Sequence, residues 1–275
     1  MKKGLKLWIH ENKIMYSFLL GFRWTQYKIL YLINEIVSVI RLIGVGNRRY
    51  SSMRYYKGKH TGERCFIVAT GPSLTFEDLE KLKDEKTFGV NSICLAYEKT
   101  KFRPTYFGVM DYDVYQKIKD STDEIRKENV FVSKKIDKYE NREKKWNVIP
   151  VDKYYHWYDT VYKKEYNAKF SNNAMRLLYD SNTVTYIMIQ LAVYMGFKEI
   201  YLVGVDCNYK QEKKRFMDHG HLTEIPGELE LRMTAGYREA KKYSLSHDVD
   251  IYNCTRGGML EVFERRDLDM VLKKG

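Results

Sequence analysis

The chain has 275 residues, of which 44% are hydrophobic and 15% aromatic, enough for a sizeable core, so a globally disordered protein is excluded. Its formal net charge of +12 favours anionic partners such as phosphorylated ligands or lipid head groups. Neither an RNA-binding signature nor zinc-finger spacing is present, which argues against nucleic acid as a partner. The four cysteines form no C-x-x-C pair and no secretory signal is found, so we expect a cytoplasmic protein with reduced thiols.

Residues 1–61 form the first predicted unit, an amphipathic and basic helical segment. Apolar residues recur at helical spacing between Ile29 and Ile40, but no 18-residue window is free of charge or strong polarity, so a spanning helix is not expected. Basic residues follow between Arg48 and Lys59. Two alternatives remain open. The helix packs on its own domain or on a sister subunit, or it lies on the inner membrane face as a peripheral attachment.

Residues 62–275 alternate between short apolar runs and helices, which we interpret as one catalytic domain. Strands are predicted at 65–69, 87–91, 105–110, 129–133, 147–151, 199–206 and 249–254, and helices after Thr75, at 183–195 and at 228–246. Strands that are apolar on both faces and separated by helices are typical of a parallel sheet with helices on both sides. The predicted fold class is a Rossmann-like α/β sandwich, with the irregular region 134–180 as a lid or an acceptor-binding insertion.

In such sheets, ligands bind beyond the carboxyl ends of the strands. The first strand ends in Thr70-Gly71-Pro72-Ser73, where glycine permits close approach of a ligand and the next helix directs free N–H groups towards an anion. Later strands end at Asn91, Asp111 and Asp206-Cys207-Asn208, and residues 181–185 open a long helix with hydroxyl and amide groups. The first loop is neither a Walker loop nor a dinucleotide fingerprint, which weakens the case for an ATPase or an NAD enzyme.

Several segments resemble a known family. The Gly-Pro-Ser-Leu loop at 71–74, the segment 88–91 (Phe-Gly-Val-Asn) and the run 196–206 are similar to the 6-hydroxymethylpterin diphosphokinase-like family, which includes motility accessory factors that glycosylate flagellin. The segment 251–263 is similar to the closing motif of that family, so the likeness extends over about 62–269. The same skeleton resembles bacterial sialyltransferases that use CMP-sialic acid, which implies a variant glycosyltransferase type A fold and a CMP-sugar donor.

The resemblance also implies roles for individual residues. The loop after the first strand and Asn91 would face the cytidine nucleotide, and residues 183–185 would face its phosphate and sugar. The predicted nucleotide site, with the other strand-end residues included, is Thr70, Gly71, Pro72, Ser73, Asn91, Asp111, Thr183, Val184, Thr185, Asp206 and Asn208.

A catalytic base is predicted in a lid around residues 210–227. The sialyltransferases have a histidine in a mobile lid, and the matching interval here contains His219 and His221. A histidine near its ordinary pKa is suited to deprotonate an acceptor hydroxyl, so we predict His219 as the general base and His221 as the second candidate. The two histidines lack a third ligand at metal-site spacing, and no metal site is predicted. The pattern Asp111-Tyr112-Asp113 is explained as well by a strand end followed by a helix cap.

Three functions are consistent with this pattern. The first is an inverting glycosyltransferase that moves a sugar, a nonulosonic or sialic-type acid, from CMP to a cell-surface glycan or lipid-linked acceptor, without an essential Mg²⁺. The second is a 6-hydroxymethylpterin diphosphokinase-like phosphotransferase, which requires a divalent ion with Asp111 and Asp206 as ligands. The third is a non-enzymatic scaffold that associates with a membrane or with nucleic acid. The first is the function that we predict.

Overall fold

The computed structural model describes residues 12–45, 48–126, 129–140, 146–155, 166–208, 216–217 and 226–273. In these ranges the helices are α1 (Lys13–Leu42), α2 (Phe76–Lys81), α3 (Tyr112–Ile118), α4 (Lys134–Tyr139), α5 (Val184–Met195), α6 (Pro226–Ser246) and α7 (Leu268–Leu272), with 3₁₀ segments at Arg48–Tyr56, Asn91–Lys99 and Lys119–Glu124. The strands are β1 (Arg64–Val68), β2 (Thr87–Val90), β3 (Tyr106–Val109), β4 (Val130–Ser133), β5 (Asn147–Ile149), β6 (Val151–Asp152), β7 (Leu178–Tyr179), β8 (Glu199–Val203), β9 (Asp250–Asn253) and β10 (Glu264–Arg265).

The core of the fold is one eight-stranded sheet in the order β10-β9-β8-β1-β2-β3-β4-β5. All of its neighbouring strands are parallel, and β6 and β7 form a separate parallel pair. The chain enters the sheet at β1, builds one side out to β5, and then returns across β1 to β8. The predicted Rossmann-like α/β fold with a parallel sheet is therefore confirmed.

Helices cover both faces of the sheet, as the apolar runs require. On one face α5 is buried along nearly its whole length and lies against the middle strands, so closely that a Cβ at Gly108 of β3 would be 2.6 Å from the sulfur of Met188. On the other face α2, α3 and α4 bury Leu79, Tyr115 and Ile136 in a second core. Because side chains are buried on both faces, the strands carry the continuous apolar pattern of parallel sheets.

Two predicted strands end earlier than expected, each for a local reason. The predicted strand at 147–151 is divided into β5 and β6, because Pro150 has no N–H to continue the ladder. The strand predicted at 199–206 ends at Val203, because Gly204 takes a positive φ of 69° and turns the chain. Both breaks redirect the backbone at the carboxyl edge of the sheet.

The predicted N-terminal helix is present as α1, but its polar side faces the rest of the protein. Glu35 accepts hydrogen bonds from Arg176 and from the hydroxyl of Tyr179, both at 2.6 Å, and Arg41 donates to the carbonyl of Arg176. Ser38 is fully buried beside them. The apolar face that runs from Ile29 to Ile40 remains exposed. The described helices include none that is long and apolar enough to cross a membrane.

Residues 58–62, where the two predicted units meet, lie against the end of α5. The N–H of His60 donates to the carbonyl of Met195 at 2.8 Å, and that of Gly62 donates to Gly196 at 3.1 Å. The His60 ring stacks on Phe197 with the ring centroids 4.5 Å apart. The start of β1 is thereby fixed to the end of α5, while the division into units 1–61 and 62–275 stays a prediction.

Candidate active site

The carboxyl ends of the central strands open into one large cleft with a volume of about 1200 Å³. The strand order reverses between β1 and β8, so the loops that follow these strands leave the sheet in different directions, which is where open α/β sheets form ligand crevices. The two loops are joined at their base, since the N–H of Gly71 donates to the carbonyl of Gly204 at 2.8 Å. The topology therefore forms the cleft at the position that the strand ends predict.

The cleft brings the predicted nucleotide-site residues together, with one exception. Ser73 does not line it. Instead, the Ser73 hydroxyl donates to Oδ2 of Asp206 at 2.8 Å, and its backbone N–H approaches the same oxygen at 3.4 Å. The lining residues among those predicted are Thr70, Gly71, Pro72, Asn91, Asp111, Thr183, Val184, Thr185, Asp206 and Asn208.

The predicted lid lies largely outside the described residues, and so do both of its histidines, His219 and His221. Phe216 and Met217, two lid residues that the structure describes, contact the segments that follow β1 and β2. The N–H of Phe216 donates to the carbonyl of Thr70 at 2.7 Å, and the Ser92 hydroxyl donates to the carbonyl of Met217 at 2.9 Å. The chain just before His219 is therefore held beside the Gly-Pro-Ser-Leu loop.

Asp206 is held between two glycines that leave no space for a side chain. A Cβ at Gly71 would be 1.9 Å from Oδ2 of Asp206, and a Cβ at Gly258 would be 2.7 Å from the Asp206 carbonyl oxygen. Burial raises the pKa of the Asp206 carboxyl above its ordinary value, and the hydrogen bonds from Ser73 oppose this rise. The site therefore fixes a carboxyl group on the cleft wall, where it can accept a hydrogen bond from a ligand hydroxyl.

Backbone strain is concentrated at this cleft. Among the described residues, the non-glycine residues with a positive φ are Asn91 (48°), Asn182 (58°) and Cys207 (51°), and all three line the cleft. Such conformations cost about 1–3 kcal/mol each, less for asparagine, and persist where the surrounding structure imposes them, which is common at functional sites. The strain is independent support for a functional role of the cleft.

Two helices begin at the cleft with capped N-termini. Thr183 caps α5, its hydroxyl accepting from the N–H of Thr185 at 3.3 Å, and the first turn of α5 lines the cleft. Asp111 caps α3 by accepting from the N–H of Asp113 at 2.7 Å, as the helix-cap interpretation of this pattern predicts. No group of three His, Cys, Asp or Glu side chains in the described ranges is arranged to hold a metal ion.

Asp180 is a cleft residue that the sequence analysis did not identify. It follows β7 and lines the cleft. Burial raises the pKa of its carboxyl to about 6, while hydrogen bonds from the N–H groups of Asn182 and Ser181 and the charge of Lys153 lower that pKa. Its position depends on Gln190 of α5, whose side chain bonds both the N–H and the carbonyl of Tyr179. A two-residue strand held by a distant glutamine has no periodic pattern, so the only sequence signal is an aspartate just before a helix cap.

The Asp180→Asn variant is expected to be more stable than wild type at pH 8 and equally stable at pH 4. The Asp180 pKa of about 6 lies above the value of about 3.9 in an unfolded chain, so the unfolded state loses its proton first as pH rises. The wild type therefore loses up to about 3 kcal/mol of stability between these two pKa values, and asparagine avoids that loss. Thermal unfolding of both proteins from pH 4 to pH 8 measures the difference.

Asp84→Asn is the matched control, because Asp84 is exposed and does not line the cleft. It is expected to leave the stability curve almost unchanged over the same pH range. A stability difference between wild type and Asp180→Asn that is the same at every pH would contradict the raised pKa.

Comparisons with known proteins find one family model and several solved structures that are similar to this chain. A sequence model of the family described as 6-hydroxymethylpterin diphosphokinase MptE-like matches residues 45–212. The MAf glycosyltransferase from Magnetospirillum magneticum AMB-1 is similar over 82% of this chain and 40% of its own, with 16% identity and a TM-score of 0.46. The sialyltransferase CstII from Campylobacter jejuni, in complex with the substrate analogue cytidine-5'-monophosphate, is similar over 74% of this chain and 85% of its own, with 16% identity and a TM-score of 0.43.

No curated protein matches the sequence significantly. The chain spans 40% of the length of the Magnetospirillum glycosyltransferase. The family match, by contrast, extends over more than half of the 275 residues and includes the Gly-Pro-Ser-Leu loop, Asn91 and Asp206 of the cleft. The chain therefore belongs to the 6-hydroxymethylpterin diphosphokinase MptE-like family, as its motifs predict.

Proposed function

We propose that the chain is an inverting glycosyltransferase that moves a nonulosonic or sialic-type sugar from a CMP-activated donor to a cell-surface glycan or lipid-linked acceptor. The observation that carries this proposal is the cleft. Its volume of about 1200 Å³ exceeds the range of about 300–1,000 Å³ that is usual for the pocket of one small ligand. A transferase needs such a space, because donor and acceptor must lie side by side.

The half of the cleft between β1, β2 and α5 is the proposed donor site. The N-terminus of α5 offers the N–H groups of its first turn and the positive end of the helix dipole to the CMP phosphate. Asn91 supplies an amide for the base or ribose, and Asp206 accepts a hydrogen bond from a ribose or sugar hydroxyl. Thr70 and Asn208 also line the cleft.

The proposed reaction is a direct displacement at the anomeric carbon of the donor. The acceptor oxygen forms a bond to that carbon while the bond to the CMP phosphate breaks, and the hydroxyl proton passes to a base. We propose His219 as this base and His221 as the second candidate. Phe216 and Met217 are bonded to the segments that follow β1 and β2, and His219 comes two residues after Met217 in the sequence. Helix N–H groups and hydroxyls stabilise the leaving phosphate, so Mg²⁺ is not expected to be essential.

The exposed apolar face of α1 supports a peripheral contact of residues 1–61 with the inner membrane face of a cytoplasmic enzyme. A second copy of the chain is the alternative partner for the same face. In either case the described part of α1 holds its polar side against the domain and leaves its apolar side available.

A thermal-shift panel of nucleotides tests the donor. CMP is expected to raise the Tm more than UDP, GDP or ATP, because a ligand that binds only the folded state stabilises it by mass action. At one hundred times its Kd, a ligand contributes about 2.7 kcal/mol, which corresponds to a rise of about 5–10 °C for a protein of this size. Addition of EDTA is expected to leave most of this rise in Tm unchanged.

The same panel tests the alternative that the family description favours, a 6-hydroxymethylpterin diphosphokinase. For that activity, ATP with Mg²⁺ must give the largest shift, 6-hydroxymethylpterin must add to it, and EDTA must remove it. That outcome would replace the glycosyltransferase proposal.

Asn91→Gly is expected to weaken CMP binding by about 3- to 10-fold, the usual value of one hydrogen bond to a ligand, while the Tm without ligand stays within a few degrees of wild type. Glycine is the suitable replacement because Asn91 has a φ of 48°, which glycine adopts without strain. Isothermal titration with CMP measures the change. Unchanged affinity would remove Asn91 from the donor site.

A further inference from the structure

The cleft continues beyond the proposed donor site into a second half with a different chemistry. One wall of this half carries four lysines, Lys134, Lys135 and Lys138 on and beside α4 and Lys153 after β6. Residues of α1 and its C-terminal end line the same cleft, among them Val37, Ile40 and Val45. We call the four lysines and the three apolar residues the basic wall and the apolar wall.

The basic wall is built to bind an anion. Lys134, Lys135 and Lys138 are exposed, and no carboxylate among the described residues lies within ion-pair distance of any of them. Two tyrosine rings contact two of these lysines. The Nζ atoms of Lys135 and Lys138 lie 5.3 and 5.2 Å from the ring centroids of Tyr112 and Tyr139, and the two rings pack 5.2 Å apart. Several lysines on one wall of a cleft concentrate negative ligands there.

The acidic groups that face the basic wall are largely engaged. Asp111 caps α3, and the Asp180 carboxyl interacts with the charge of Lys153. Arg49, which also lines the cleft, pairs with Asp137 at 2.9 Å, and Asp113 is exposed to solvent. The balance of this half of the cleft is cationic, which fits a phosphate or diphosphate group better than a neutral sugar.

The apolar wall leads out of the cleft along the protein surface. Val37 and Ile40 are exposed side chains that border the cleft, and the same face of α1 continues through Ile36 and Ile33 to Ile29, which is 51% exposed. A nucleotide or a free glycan has no use for such a path, because burial of polar groups against it costs free energy. A long hydrocarbon chain gains about 0.8 kcal/mol for each CH₂ group that it buries.

We propose that this half of the cleft is the acceptor subsite and that its ligand is an acceptor sugar carried on a lipid-linked phosphate or diphosphate. The anionic head contacts the basic wall, and the hydrocarbon chain follows the apolar wall out of the cleft. The role as acceptor rests on the proposed glycosyl transfer, whereas the binding of such an amphiphile does not depend on it.

Isothermal titration of the full chain with farnesyl diphosphate and with inorganic pyrophosphate tests this assignment. Farnesyl diphosphate is expected to bind at least tenfold more tightly, because only it has a chain for the apolar wall. The triple variant Lys134→Ala/Lys135→Ala/Lys138→Ala is expected to bind both probes about tenfold or more weakly than wild type.

The double variant Val37→Ser/Ile40→Ser is expected to weaken the binding of farnesyl diphosphate and to leave the binding of pyrophosphate unchanged. The control Lys83→Ala/Lys86→Ala/Lys99→Ala removes the same charge from exposed positions outside the cleft and is expected to bind both probes like wild type.

Three outcomes would overturn the proposal. They are equal affinity for the two probes, unchanged binding by the lysine variant, and equal losses in the lysine variant and its control. To separate a general membrane patch from a subsite, the same variants are tested on vesicles of 20% phosphatidylglycerol in phosphatidylcholine. If vesicle binding falls in the lysine variant while farnesyl diphosphate binding does not, the wall is a membrane contact and the proposal fails. The thermal shift with CMP is measured in every variant. If that shift is absent from wild type as well, the proposed function fails separately.

Discussion

The Gly71→Ala variant is expected to melt about 3–10 °C below wild type and to bind CMP at least tenfold more weakly. A Cβ at this position would be 1.9 Å from Oδ2 of Asp206 and 2.5 Å from the carbonyl oxygen of Gly204. The second contact is with backbone, so no side-chain rotation relieves it. Overpacking of this kind costs about 1–3 kcal/mol, from which the fall in Tm follows. The loop must also move away from β8, and the donor site moves with it.

Thermal unfolding and titration with CMP measure both effects, and Gly257→Ala is the control. Gly257 has a φ of 66°, so alanine is strained there, but nothing lies within 4 Å of the added Cβ. This variant is expected to lose a little stability and no CMP affinity. If Gly71→Ala binds CMP like wild type, the contact between the first loop and Asp206 is not part of the donor site.

His219→Ala is expected to lower kcat by about 10²- to 10⁴-fold with nearly unchanged CMP binding, the usual loss when a positioned general base is removed. An acceptor hydroxyl has a pKa far above neutral, so its attack needs a base within hydrogen-bond distance. The wild-type rate is expected to fall below about pH 6, as the histidine becomes protonated, and this fall is expected to vanish in the variant. Steady-state kinetics across pH measure both.

Two further variants give this experiment its comparison. His221→Ala is expected to lower kcat less than His219→Ala does. His247→Ala is expected to change nothing, because His247 follows α6, stacks on Tyr243 at 3.8 Å and lies outside the cleft. Small and equal losses in both lid variants would contradict the assignment. Asp180, which lines the cleft and has a pKa of about 6, is then the next base to test.

Local signals account for the parts of the structure that the sequence predicts well. The helix predicted after Thr75 is present and begins with a capping box formed by Thr75 and Asp78, and Thr183 caps α5. Most strands lie within one or two residues of their predicted bounds, because runs that are apolar on both faces have few other places in a fold. The positions of Asn91 and Asp206 in the cleft also follow, since the carboxyl ends of parallel strands share one edge.

Features that depend on distant contacts could not be predicted. The apolar period of α1 indicates a helix but does not say which side faces the protein. The answer depends on Glu35 meeting Arg176 and Tyr179, more than one hundred residues along the chain. The role of Ser73 depends in the same way on the distance to Asp206. Both sets of contacts are formed by tertiary packing, which the local hydrophobic pattern of the sequence does not predict.

The position of Asp206 between Gly71 and Gly258 has a consequence for how the sequence can vary. The three positions lie on loops after β1, β8 and β9, far apart along the chain. Asp206 nevertheless fills the space that a side chain at position 71 or 258 would need. A single enlargement at either glycine displaces the aspartate, whatever residue is introduced. A substitution at either glycine is therefore expected to require a compensating change at position 206, so that the three loops vary together in evolution.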